Sequence, residues 1–309
     1  RLPCMTERDT DSFRLLTGRV EGIRGLAVEK YGEVVVLQVS HETPELRRAL
    51  PGLAKWYLEA LGVRAVYTKR FVRDRDASPT SSTDTHHSPK PFVGTPAAEQ
   101  IVARERGLRF AVRPYDGLSV GLFLDHRDNR ERIRAMSAGM QVLNLFAYTC
   151  GFSVAAAKGG ADRTVSVDLS RKHLDWGREN FELNQVDPDE HEFFCSDAFS
   201  FLRGAARKSR AFDIIIIDPP SFAHGRKRKQ DFSIARDLSD LIAASLTVLR
   251  RGGTMMVSTN YRQMSMRGLR DRVTTCAGRR KSRIIETPRL PADFACDPHH
   301  AKTVLVRFD

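Results

Sequence analysis

The run Phe212-Asp213-Ile214-Ile215-Ile216-Ile217-Asp218-Pro219-Pro220-Ser221-Phe222 constrains the fold more than any other stretch of the chain. Four consecutive isoleucines have no polar face, so they describe a strand covered on both sides, as in a parallel sheet with helices on either face. The run stops at an acid and two prolines. Proline fixes its own φ and pushes the preceding residue toward extended geometry, so the backbone leaves the sheet in one stiff direction. Ligands of open α/β sheets bind at this edge, beyond the carboxyl ends of the strands. Taken alone, the pattern is equally that of a core strand ended by a Pro-Pro turn.

Its surroundings supply a context. From about residue 125 strands alternate with helices. Strands are predicted from Val142 to Phe146, Thr164 to Asp168, Phe193 to Asp197, Phe212 to Asp218, Thr254 to Thr259, Ile284 to Thr287 and Thr303 to Phe308. Between them fall helices from Phe152 to Lys158, from Leu169 to Asn184, to about Lys208, and from Ser265 to Ala277. A long helix has Leu238, Leu241, Ile242, Leu246 and Leu249 on one face and is predicted to end at Arg251-Gly252-Gly253. Seven strands with crossover helices make an α/β, doubly wound, Rossmann-like sheet.

Upstream the style differs. Two strands joined at Tyr31-Gly32-Glu33, a helix from about Pro44 to Leu61 and a strand from Ala65 to Thr68 form a smaller α+β domain, taken as residues 1–115 with 116–309 as the second domain. A hairpin of Leu108 to Val112 with Leu118 to Leu122 is predicted to complete the small sheet or link it to the next domain. Residues 74–96 are polar, proline-bearing and without period, so a long mobile loop is expected.

The 50 Lys and Arg outnumber the 38 Asp and Glu, giving a formal net charge of +12, which calls for a polyanionic partner, with nucleic acid ahead of an anionic membrane surface. No stretch has the length of a membrane span and the N-terminus lacks a signal-peptide core, so no membrane association is expected. Five scattered cysteines without a Cys-x-x-Cys pair point to no metal site and to a reducing, cytoplasmic location. Whether a second copy binds as a homodimer is left open.

Four strand ends carry polar groups. Asn144-Leu145-Phe146-Ala147-Tyr148-Thr149-Cys150-Gly151 is a small-residue turn at a helix start, without the Gly-x-Gly-x-x-Gly of dinucleotide binders. Asp168 stands where an acid accepts ribose hydroxyls, Ser196-Asp197-Ala198 ends the third strand and Asp218-Pro219-Pro220 the fourth. Any one such aspartate is more often a helix N-cap; a series pointing into one crevice is not expected from capping alone.

These motifs, with Val167-Asp168-Leu169-Ser170 and Asn184, resemble those of class I S-adenosylmethionine-dependent methyltransferases, most of all the branch that modifies bases of bacterial large-subunit ribosomal RNA. Gly121-Leu122-Phe123-Leu124-Asp125-His126-Arg127-Asp128-Asn129-Arg130 is similar to a signature of that branch, and Thr10–Leu15 and Gly22–Val28 resemble the middle domain of its cytosine-5 members. The likeness spans nearly the whole chain and is weakest at 70–100 and 261–300. It implies S-adenosylmethionine as cofactor, bound by Asn144, Thr149 and Leu169 together with Phe146, Ala147 and Tyr148 on its methionine side, Asp168 at the ribose, Asp197 and Ala198 at the adenine, and Asp218 near the sulfonium. Asp125 and Arg127 are further candidates from the domain junction, reaching cofactor or RNA beside His126. Relatives have glycine at the position of Cys150. A positive φ there would strain a cysteine, and a covalent role for it is disfavoured because nothing nearby lowers its pKa.

The acceptor atom is narrowed by chemistry. Cytosine C5 is not nucleophilic until a cysteine thiolate adds at C6. In the cytosine-5 relatives that cysteine follows strand five, where this chain has Ser258-Thr259-Asn260-Tyr261-Arg262. The turn resembles the guanine-N7 branch, which implies catalytic roles for Asp218, Pro219 and Asn260, with Asn260 holding the base edge. Alternatives are cytosine C5, an exocyclic amine whose hydrogens Asp218 and the Pro219 carbonyl accept, and an RNA-binding or ribosome-assembly protein that keeps the fold without catalysis.

Three basic clusters are candidate phosphate contacts: Lys69-Arg70-Phe71-Val72-Arg73, then Arg226-Lys227-Arg228-Lys229, then Arg262, Arg267, Arg270, Arg272, Arg279, Arg280, Lys281 and Arg283. Phe222 is placed either on a flipped base or packed into the sheet edge. The pairs His86-His87 and His299-His300 are read as surface histidines. Trp176 and Phe181 are read as core.

Overall fold

The computed structural model describes residues 9–70, 89–98, 100–117, 119–223, 232–278, 280–295 and 300–309. Their contacts gather into two units, one ending at Leu124 and taking back the segment that begins at Ala292, the other formed by Asp125–Pro291 and the C-terminal strand. The division therefore falls nine residues beyond the 115/116 boundary read from sequence.

In the first unit β1 (Phe13–Leu16), β2 (Leu26–Tyr31), β3 (Val34–Val39), β4 (Ala65–Arg70) and β5 (Val93–Gly94) make a five-stranded sheet in that order. All neighbours are antiparallel except β3 and β4, which α1 (Pro44–Leu61) connects. Helix α1 starts where Thr43 Oγ1 accepts the Leu46 N–H at 3.2 Å and Pro44 has no N–H to leave unsatisfied, and it ends at Gly62 with φ +57°. Leu46, Leu50, Ala54 and Tyr57 pack its inner face on Val35, Leu37 and Val39.

The predicted pairing of Leu108–Val112 with 118–122 is not observed among the described residues. β7 (Leu108–Val112) instead pairs with β6 (Ile101–Glu105) as a separate two-stranded sheet. The two-residue turn between them, Arg106-Gly107, has φ of +48° and +77°, the left-handed pair whose twist matches that of the flanking strands. Most of the polar stretch 74–96 lies outside the described residues.

The second unit runs α2 (Arg127–Met136), β8 (Gln141–Leu145), α3 (Gly151–Lys158), β9 (Arg163–Asp168), α4 (Arg171–Leu183), β10 (Glu192–Cys195), α5 (Ala198–Arg207), β11 (Phe212–Ile217), the short pair β12 (Phe222–Ala223) and β13 (Phe232–Ser233), α6 (Ile234–Leu246), β14 (Leu249–Thr259), α7 (Met266–Cys276), β15 (Ser282–Glu286) and β16 (Lys302–Phe308). Its seven-stranded sheet has the order β10-β9-β8-β11-β14-β16-β15, parallel but for β16. Ile215, Ile216 and Ile217 are fully buried. They alternate between the layer holding Phe201, Leu238 and Ile242 and the layer holding Ile133, Phe152 and Leu305, so β11 has helices on both faces.

Winding reverses between β8 and β11, whose ends meet at the Leu145–Ile217 pair. A crevice at that reversal is where open sheets bind ligands. Helix α6 stops at Leu246, before the predicted Arg251-Gly252-Gly253 end. Those residues belong to β14, where the register slips between Phe212↔Leu249 and Ile214↔Thr254 and Gly252 takes φ +74° in the resulting bulge. None of the described helices is long and apolar enough to cross a membrane.

Candidate active site

The turn after β8 holds three non-glycine residues in the left-handed region: Phe146 at φ +57°, Tyr148 at +48° and Cys150 at +60°. Such strain persists only where the surroundings over-determine it. Here the Ala147 N–H donates to Val167 O at 3.0 Å, the Cys150 N–H to Ala147 O at 2.8 Å and the Tyr148 N–H to Asp168 Oδ2 at 2.9 Å. Asn144 and Thr149 brace the turn. Asn144 is buried and donates to Ser153 Oγ at 3.0 Å, while Thr149 is buried with its carbonyl accepting from Asn180 Nδ2 at 2.8 Å. Asn180 was not singled out from sequence. Its only signal was its place one helical turn before Asn184, which donates to the Asn180 carbonyl.

Cys150 is fully buried, and burial pushes its thiol up to about 12. That removes it as a nucleophile. Cys195 and Cys276 point their thiols at the Leu169 and Ser239 carbonyls.

Asp168 uses both oxygens: Oδ2 takes the Tyr148 N–H and Oδ1 the Ser170 N–H at 2.9 Å, so this one carboxylate ties the β8 and β9 turns together. Tyr148 stands edge-on to His173, which reaches within 3.7 Å of Asp168 Oδ1. Asp197 caps α5, with Oδ1 accepting the Ser200 N–H at 2.9 Å, and Ala198 behind it is buried. The capping reading of this acid is thus correct for one of its oxygens.

At the end of β11, Asp218 Oδ2 lies 3.1 Å from His126 Nε2; the histidine is buried while Asp218 keeps 26% of its side chain exposed. Asn129 Nδ2 sits 3.0 Å from His126 Nδ1 and 3.0 Å from Thr303 Oγ1, which is 3.1 Å from Ser258 Oγ. An amide NH2 can only donate, so Nδ1 accepts and the ring hydrogen is on Nε2, facing Asp218. Burial, the largest influence on His126, pushes its pKa down, but Asp218 and Asp125 outweigh it and the net shift is upward. Asn129, Ser258 and Thr303 lie far apart in sequence, and no motif joins them.

Asp125 and Arg127 are buried, and Asp125 Oδ2 pairs with His300 Nε2 at 3.0 Å. His300, read as a surface histidine, keeps part of its side chain exposed while making this pair. His86, His87 and His299 lie outside the described residues.

On the acceptor side, exposed Asn260 takes the Ser221 hydroxyl on Oδ1 at 2.9 Å, joining the Asp218-Pro219-Pro220-Ser221 turn to the turn after β14. Pro219 is buried beneath it. The backbone of Phe222 pairs with Ser233. Its side chain and Arg226, Lys227, Arg228 and Lys229 lie outside the described residues.

Two of the basic clusters are partly structural. Lys69 is buried with Nζ on the Gly117 carbonyl, and Arg70 pairs with Glu42. Arg272 and Arg280 donate to main-chain carbonyls of the segments around α6, whereas Arg262, Arg267 and Arg270 are exposed. Among the described residues no group of three or more His, Cys, Asp or Glu could hold a metal ion.

A tight left-handed turn, a small residue at Ala147 and carboxylates at the ends of β9 and β11 with a further one just past β10 suit a ligand that carries ribose hydroxyls and a positive charge. S-adenosylmethionine is such a group, and Asp168, Asp197 and the 146–148 backbone are the residues that would hold it.

Comparison with known proteins agrees. The family model described as S-adenosylmethionine-dependent methyltransferase matches residues 40–298. YwbD of Bacillus subtilis (strain 168) is 33% identical over 298 residues, covering 93% of this chain and 71% of that protein. A protein named ribosomal RNA large subunit methyltransferase K, from Neisseria meningitidis serogroup B, is 41% identical over 166 residues, covering 54% of this chain and 47% of its own length. The crystal structure of SMU.776 complexed with SAH superposes with a TM-score of 0.86 at 30% identity, covering 99% of this chain and 78% of that one. The chain spans less than half the length of several curated relatives that it matches. It belongs to the S-adenosylmethionine-dependent methyltransferase family.

Proposed function

We propose that this chain methylates a base nitrogen of RNA, with guanine N7 of large-subunit ribosomal RNA as the target. The bound cofactor supplies an electrophilic methyl group. The observation that supports the reading is the Ser221–Asn260 bond, which ties the turn after β11 to the turn after β14, and it is in the latter turn that the cytosine-5 proteins this chain resembles carry the thiol that attacks C6. With its Oδ1 already engaged by Ser221, Asn260 presents its NH2 to the substrate. That donor matches O6 of guanine, beside N7, and repels the amino group that adenine has in the same place. N7 carries its own lone pair, so no base has to remove a proton and the residues' task is alignment. Asp218, exposed on one side at the end of β11, favours the cationic ring that N7 methylation produces.

The names of the relatives support ribosomal RNA of the large subunit as the substrate class, and the charge of +12 with the exposed arginines of α7 supports a polyanion. The carboxylate of Asp218 beside the Pro219 carbonyl favours a second reading, an exocyclic amine. Transfer of labelled methyl to protein-free ribosomal RNA, followed by nucleoside analysis, separates them: 7-methylguanosine is the expected product, and 5-methylcytidine would overturn the argument from Asn260. A lapsed enzyme would show no transfer at all while still being stabilised by S-adenosylhomocysteine.

A further inference from the structure

His126 is the side chain that touches Asp218 from inside the protein. It is buried, stands edge-on to Phe152 of α3 at 5.3 Å, and reaches Asp218 with Nε2 and Asn129 with Nδ1. Asp218 keeps a quarter of its side chain exposed, so one of its oxygens can be held from inside by the imidazole while the carboxylate still faces outward. We propose that His126 is the positioning residue of the reacting centre, fixing Asp218 by one carboxylate oxygen so that the other faces the acceptor base, with Asn129 setting the tautomer that makes this possible. The inference rests on the reading of Asp218 as the acid beside the base.

The relay behind His126 fits this role. Asn129 donates to both His126 and Thr303, and Thr303 meets Ser258 across the β14–β16 pair, so the imidazole is referenced to the rigid centre of the sheet and not to a loop. Asn129 Oδ1 is buried with no hydrogen-bond partner among the described residues. It is the acceptor that a doubly protonated ring would need, reached by a half-turn of the amide. The charged groups facing His126 are Asp218 from β11, Asp125 before α2, itself paired with His300, and Arg130 of α2, which opposes the two acids. Protonated, His126 cancels the charge of Asp218; neutral, it leaves that charge for the developing cation. The rate therefore falls as pH drops through the raised pKa of His126.

The test uses the full chain, S-adenosylmethionine and protein-free large-subunit ribosomal RNA, with kcat and KM followed against pH and S-adenosylhomocysteine binding measured by calorimetry. His126→Ala should lower kcat roughly tenfold to a hundredfold, the size of a positioning defect, while KM for RNA and ligand affinity stay within about twofold. His126→Gln, whose amide N–H can still reach a carboxylate, should recover part of kcat and lose the acid limb. In an Asp218→Asn background His126→Ala should add little, because its effect passes through Asp218. Wild-type kcat in His126→Ala, effects that multiply in the double variant, or an acid limb that survives in His126→Gln would each overturn the proposal. If His126→Ala fails to fold, His126→Gln and the cycle built on it decide. A wild type that moves no methyl to RNA overturns the functional reading and this inference with it, whereas a wild type that does so with His126 variants indistinguishable from it overturns the inference alone.

Discussion

A β-carbon on Gly177 would stand 2.4 Å from Cys150 Sγ and 2.9 Å from Cys150 Cβ, so helix α4 passes the turn after β8 only because that position has no side chain. The cysteine at this left-handed position is thus accommodated by a glycine elsewhere. Gly177→Ala should destabilise by about 1–3 kcal/mol through overpacking, despite alanine's better helix propensity. Cys150→Gly vacates the space and relieves the strain at φ +60°, so the double variant should be more stable than Gly177→Ala alone, well outside additivity. Urea unfolding of the four proteins reads this directly, and additive effects would show that the two side chains do not share the space.

Asp168 is the acceptor of two backbone N–H groups from two different turns. In Asp168→Asn only one amide atom remains an acceptor, and the NH2 must face one of the donors. A lost hydrogen bond to a charged group is worth about 1.5–3 kcal/mol, which predicts S-adenosylhomocysteine affinity about tenfold to a hundredfold weaker. Asp175→Asn, on the exposed face of α4, is the control and should bind normally. Equal affinities for the two variants would remove Asp168 from the cofactor site.

His191 titrates in the opposite sense to His126. Burial, the largest influence, lowers its pKa, and its Nδ1 accepts the Thr164 N–H at 3.1 Å, which requires the neutral ring. Because the folded pKa lies below the unfolded value of about 6.5, the unfolded chain binds more protons in the window between them, and stability rises with pH across that window. His191→Asn keeps an acceptor and removes the titration. The stability advantage of wild type over this variant should therefore grow between pH 5 and 7.5, measured by urea midpoints; a constant difference would contradict the assignment.

What the sequence made legible and what it hid follow from how local the signals are. The isoleucines of β11, the leucines of α6 and the Thr43-Pro44 start of α1 announce their elements because periodicity and capping act within a few residues. Gly252 fills a bulge and caps no helix, a difference the sequence hides because a glycine past a helical pattern looks the same in both places; only the pairing of β14 with β11 decides. The partner of Leu108–Val112 is equally hidden, because alternation fixes a strand's faces and not its neighbour. Asp168, Asp197, Asp218 and Asn260 are visible as strand-end residues, but Asn129, Thr303 and Ser258 form a chain behind His126 that runs through α2, β16 and β14, and no spacing in one chain encodes that.

The arginines around α7 divide by what their guanidinium groups touch. Arg280 donates to the carbonyls of Leu246, Leu249 and Arg250 at 2.9, 3.1 and 3.0 Å, satisfying the end of α6 and the start of β14. Arg267 is 93% exposed and only loosely paired with Asp271 at 3.8 Å, and Arg262 and Arg270 are also exposed. If the exposed three meet phosphate, replacing them with alanine should weaken RNA binding and flatten its salt dependence by about 0.7–0.9 in logarithmic slope per lost contact, with unfolding unchanged. Arg280→Ala should do the reverse, lowering stability by about 1 kcal/mol because three carbonyls, two of them part-buried, lose their charged donor, while the folded protein keeps its salt slope. Filter-binding titrations at several salt concentrations, paired with urea unfolding of the same variants, distinguish the two classes. An Arg262, Arg267 and Arg270 triple variant with the wild-type slope would place the RNA backbone on another face.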